Sequence, residues 1–172
     1  MPDQTAQRHH IGLSPDLIDS IYTEALLLAD EARGWFDRYR PSQPMLCDDI
    51  EGDPMVNWAA RHDPTMRIAL SCESLRLTTR LMHVIGWLLQ QRALAAGEID
   101  RIDFDDPANR LGPSPECDLV MLDELPGQVG QLVRSSLALH ARVAALEAVQ
   151  IDDGHDQPHP VHAMLNRLQS AV

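Results

Sequence analysis

From Pro64 to Ala96 the chain has no second proline and a single glycine, Gly86, before Gly97 supplies a stop signal. Such a run predicts one long helix, about 50 Å at 1.5 Å per residue. Asp63 and Pro64 open it with a side-chain acceptor for the free amides and a proline where no amide partner is needed. Placed on a helical wheel, Leu70, Ser74, Leu77, Leu81, Val84 and Leu88 line one stripe, while Ile68, Cys72, Leu75, Thr79, Met82 and Leu89 lie almost opposite. A surface helix needs only one apolar stripe. Two opposed stripes require packing on both sides, so this helix is the middle of the fold or also the seam of an oligomer. The expectation is a homodimer whose seam is Ile68, Leu75, Thr79, Met82 and Leu89.

Two further helices carry the ordinary single stripe. Ser14, Pro15 and Asp16 form a start signal. Ile18, Ile21, Ala25, Leu28, Ala32, Trp35 and Tyr39 then follow at alternating three and four spacing, predicting a helix over roughly 15 to 39. Pro41 and Pro44 end it, and residues 40 to 62 read as an acidic, proline-dotted connection with one helical turn at Pro54 to Ala60. A third helix starts near Pro126 with Val129, Leu132, Ser136, Leu139, Val143 and Leu146 at heptad spacing. Between the second and third lies another acidic stretch, 97 to 125, where Glu116 to Leu122 suits a short helix or a short strand.

The expected fold is therefore all-α: a three-helix up-down-up bundle over 14 to 150, with long acidic loops. A flexible arm, 1 to 13, precedes it. A flexible tail, 151 to 172, ends in a short amphipathic peptide whose Val161, Leu165 and Leu168 share a helical face suited to docking.

Charge narrows the function classes. The formal net charge is −12, which repels phosphate backbones and anionic lipid, so the pattern predicts no nucleic-acid and no membrane partner. Every basic side chain is Arg, which removes lysine Schiff-base chemistry and lysine phosphate loops. Cys47, Cys72 and Cys117 form no C-x-x-C pair, and the start, MPDQTAQRHHIGLSPDLI, has no basic-then-apolar signal pattern. A cytoplasmic chain is expected. Protein partners are favoured by elimination.

No catalytic residues are assigned. No Glu-x-x-His pair points to a di-metal bundle, Cys72 reads as a packing thiol on an apolar stripe, and His155, His159 and His162 are interrupted by prolines. The expectation is no enzyme, no metal and no cofactor. The alternative is a small helical ligand- or metal-binding protein, or enzyme, using Asp48, Asp49, Asp103, Asp105 and Asp106 of the acidic loops. The sharpest candidate is the polar flank of the second helix: Glu73, Arg76, Arg80, His83 and Trp87. It reads either as arginine stems covering the core, paired with acids of helix one, or as a protein-binding hot spot. On the second reading these five residues form a protein-binding face.

The run CESLRLTTRLMHVIGWLLQQRALAAGEI, residues 72 to 99, resembles the signature of the alphaproteobacterial DUF1465 family, and RSSLALHARVAALE, residues 134 to 147, resembles the family's third helix. The likeness spans about residues 15 to 150. It implies a dimeric three-helix bundle without enzymatic activity, acting as an adaptor in regulated proteolysis. The partners it implies are the ClpXP protease, a response regulator, a cyclic-di-GMP effector and substrate proteins such as the cell-cycle regulator CtrA.

Overall fold

The computed structural model describes residues 13–38, 64–117 and 119–155. The connection through 40–62, Asp63 with its cap signal, Tyr39 and the tail residues Val161, Leu165 and Leu168 lie outside them. The described residues are helical, with no strand among them: α1 (Pro15–Arg38), α2 (Pro64–Ala95), α3 (Leu119–Glu124) and α4 (Gly127–His155), with a 3-10 turn at Pro107–Asn109. The short segment before α4 is thus a helix, not a strand.

Each boundary has a local cause. Ser14 caps α1 by accepting from the amide of Leu17 at 3.3 Å. Gly97 ends α2 at φ 72°, the left-handed conformation that glycine adopts without Cβ strain. Around it, Gly97 N–H donates to Leu94 and Glu98 N–H to Ala93, the paired bonds that satisfy orphan helix carbonyls. Helix α4 continues to His155, beyond the expected limit near 150, because no proline interrupts it before Pro158.

The core is built from the predicted stripes. Ile18, Ile21, Ala25, Ala32 and Trp35 of α1 meet Leu70, Leu77, Leu81, Val84 and Leu88 of α2, with Val129, Leu132, Val133, Leu139 and Val143 of α4 closing the third side. Leu122 and Leu125 cover one end. The three long helices pack pairwise against one another. Trp35 adds a ring contact with Phe36 at 5.2 Å, near edge-on, and its indole N–H donates to Gln128 at 3.2 Å.

The direction of α4 corrects the expected topology. Trp35 of α1 meets Gln128 while Glu24 meets Arg142, so α1 and α4 run antiparallel. Arg80 of α2 meets Ser136 while Gln91 meets Gln150, so α2 and α4 run parallel. With Arg92 near the end of α2 paired to Asp19 near the start of α1, those two are antiparallel. The bundle is up-down-down. A parallel pair cannot be joined by a tight turn; the chain from Ala96 to Pro126 must return along α2 before α4 begins. The long acidic loop is this return strap.

Candidate functional site

The strap is held by side chains the two parallel helices supply in order. Gln90 reaches the Ala108 carbonyl at 3.5 Å, His83 the Pro113 carbonyl at 3.1 Å, and Arg80 both Ser114 and Pro115. From α4, Glu147 accepts from the Leu111 amide at 2.5 Å and His140 contacts the Gly112 carbonyl at 2.8 Å. A carbonyl only accepts, so His83 Nδ1 and His140 Nε2 are the protonated ring nitrogens. Gly112 is the tightest point. A Cβ there would stand 2.5 Å from the His83 ring, which selects glycine for close approach.

At the centre lies Arg80, 0% exposed. Its Nε donates to Ser114 Oγ at 2.8 Å, Nη1 to Ser136 Oγ at 2.7 Å and Nη2 to the Pro115 carbonyl at 3.2 Å. Three donors aimed in three directions use the fixed fork of a guanidinium, which lysine lacks. Burial pushes its pKa down, Cys117 and Glu73 oppose that, and Arg76 adds to it. It stays charged all the same. One turn back, Glu73 is 4% exposed and accepts from Arg76 at 2.5 Å, the contact that chiefly raises the Arg76 pKa. The half-buried Cys117 thiol is pushed up by burial, then by the charge of Glu73 and a hydrogen bond with it. A raised thiol is neutral at physiological pH and a poor nucleophile.

These facts correct the inferred protein-binding face. Glu73, Arg80 and Trp87 are buried, and Arg76 and His83 are half-buried, so the five do not present a free surface. Nor does this flank pair with acids of α1. Arg80 and His83 bond the strap, Arg80 also bonds α4, and Arg76 pairs with Glu73 on its own helix. Arg92, one helix end away, does pair with α1, at 3.1 Å from Asp19 and 4.7 Å over the Tyr22 ring.

The other stripe of α2 is the exposed feature. Ile68, Leu75, Met82 and Leu89 are 64%, 69%, 66% and 48% exposed, and Thr79 and Gly86 beside them are open. An apolar row along a whole helix, facing away from the core, is the kind of patch that marks an interaction site. The acidic loop residues behave differently. Asp103 accepts from the Asp105 amide and Asp106 caps the 3-10 turn through the Ala108 amide, so both shape their own loop. Among the described residues no group of three potential metal ligands comes together. Asp48 and Asp49 lie outside them.

The profile described as protein of unknown function, DUF1465, matches residues 10–172. The chain belongs to this family. No curated protein and no solved structure matches it. The DUF1465 match spans all four helices, including the α2 stripe and the strap. Among the described residues no helix is long and apolar enough to cross a membrane.

Proposed function

We propose that the chain is a non-enzymatic adaptor in regulated proteolysis, resembling RcdA, the regulator of CtrA degradation, and working in the cytoplasm as a homodimer. The observation that carries this reading is the exposed row Ile68, Leu75, Met82 and Leu89 on the helix that also bears the family-like signature. An adaptor needs interaction surface rather than a reactive centre. It holds cargo beside a protease and raises the local concentration without changing a bond. The partners are the ClpXP protease, a response regulator and substrates of the CtrA kind, and the peptide carrying Val161, Leu165 and Leu168 is a second docking element.

The test is reconstituted degradation of CtrA by ClpXP with the response regulator and cyclic-di-GMP effector, with and without this chain. The expected result is faster loss of CtrA when the chain is present, and loss of that gain when residues 155–172 are removed. A degradation rate indifferent to the chain would sink the proposal.

A further inference from the structure

We infer that the acidic groove between α1 and α4 holds the chain's own tail peptide, residues 161–172, as a helix lying alongside α1. This rests on the reading of that peptide as a docking element and names the surface it occupies while no partner holds it.

The groove follows two heptad rows. Leu17, Glu24 and Glu31 run along α1, and Val149, Arg142 and Ser135 along α4, with Glu24 and Arg142 paired between them. Leu27 and Leu28 line the α1 side, and Leu27 is 67% exposed. Leu17 and Val149 fall at the foot of the same rows and are open as well. Exposed apolar side chains along a concave surface suit a ligand with an apolar face. The rim sets its charge, through Asp16, Asp19, Glu24 and Glu31. Arg92 and Arg142 answer Asp19 and Glu24, while among the described residues Asp16 and Glu31 have no basic partner. An occupant with one apolar stripe and a basic flank is selected.

The tail supplies both. Val161, Leu165, Leu168 and Val172 recur at four, three and four spacing, and residues 157–172 hold His159, His162 and Arg167 with no acidic side chain. Its point of departure also fits. Arg92 near the end of α2 pairs with Asp19 near the start of α1, and Gln91 with Gln150, so α4 ends at the foot of the groove. Pro158 and Pro160 stop α4 from continuing and let the chain reverse. The six Cα steps from His155 to Val161 reach about 20 Å, against about 14 Å from the end of α4 up to the level of Ser20. With Val161 seated there, one turn above Leu17 and Val149, Leu168 comes level with Leu27 and Arg167 lies between Glu24 and Glu31. Attachment to the same chain gives this peptide a local concentration of about a millimolar, which a separate occupant must overcome. The arm before α1 enters at the same end, but between Met1 and Ile11 it has no large apolar side chain.

Hydrogen exchange of the full chain, read by mass spectrometry on fragments of the tail, tests this. Amides 165–172 are expected to exchange about tenfold more slowly than in a free peptide of the same sequence. Leu27→Gln removes most of that protection and leaves the melting temperature unchanged, since Leu27 projects from the bundle. Glu31→Arg and Arg167→Glu each reduce it about threefold, and their combination restores it. Tail amides that exchange at the free-peptide rate in the wild type overturn the docking. Protection that survives Leu27→Gln, or a charge swap no better than its two single changes, overturns the groove as its seat. Oxidation of the pair Leu27→Cys with Leu168→Cys gives the second readout: the expected disulfide lies within one chain at any dilution, and a link between two chains overturns the proposal. Exchange is measured on the chain alone, so its outcome is separate from the degradation assay that tests the adaptor reading.

Discussion

Arg80 and Ser136 stand 56 residues apart in sequence and 2.7 Å apart in the core, the guanidinium donating to the hydroxyl. This contact fastens α2 to the parallel α4, and the same guanidinium fastens the strap between them.

Arg80→Ala removes three donors at once and leaves the buried Ser136 hydroxyl, the part-buried Ser114 hydroxyl and the Pro115 carbonyl without their cation. The expected loss of stability is about 1–3 kcal/mol, the usual cost of stranding buried polar acceptors. Urea denaturation measures it. Arg80→Lys keeps the charge but not the fork, and it is expected to recover only part of the loss.

Gly112→Ala places a Cβ against the His83 ring. Overpacking of this kind costs about 1–3 kcal/mol. Adding His83→Ala frees the space, so a double-mutant cycle gives a favourable coupling between the two changes. Simple additivity would show that the strap shifts away from α2 instead.

Cys117 links stability to alkaline pH. Its folded pKa is raised, so the folded protein keeps this proton to higher pH than the unfolded chain does. The contribution is complete below about pH 8.5, the usual thiol value, and is lost as pH rises through the folded-state value. Melting temperature followed across the alkaline range falls in the wild type and less steeply in Cys117→Ala. The same thiol reacts slowly with iodoacetamide at neutral pH until urea unfolds the chain.

Arg142 makes a two-pronged contact with Glu24, at 3.2 and 2.5 Å, yet both side chains are half-exposed. Arg142→Ala is expected to cost under about 1 kcal/mol, because water and salt screen such pairs. The contrast with Arg80 is measurable in the same urea series.

Met82 projects from the bundle, so Met82→Glu leaves the melting temperature of the single-copy fold unchanged. Light scattering is expected to report monomers, since the substitution buries a carboxylate in the proposed seam.

The elements were legible because they depend on neighbours in sequence. Ser14, Pro64 and Gly97 mark helix ends by local capping chemistry, and the stripes of α1, α2 and α4 follow from periodicity. The direction of α4 was not legible, since an apolar stripe looks the same read either way and a long connection allows both. The burial of Arg80 was half-visible. Ser136 sits among Val129, Leu132, Leu139 and Val143, a hydroxyl on an apolar row, whereas Arg80 lies on the flank of the α2 stripe between Glu73 and Trp87, about 40° from Val84 on the wheel. A hydroxyl inside a core stripe is a signal for a buried polar contact. What periodicity lacks is the partner, since Ser114 is 34 residues from Arg80 and joins it only through the strap.

The parallel course of α4 also sets the order in which the chain can assemble. Helical bundles closed by short turns fold quickly because their contacts are local. Here the first and second long helices can collapse together, but the last cannot seat until the strap has travelled back along its neighbour. The contacts that complete the core therefore close loops of more than 50 residues, a larger entropic cost than that of a helical hairpin with a short turn.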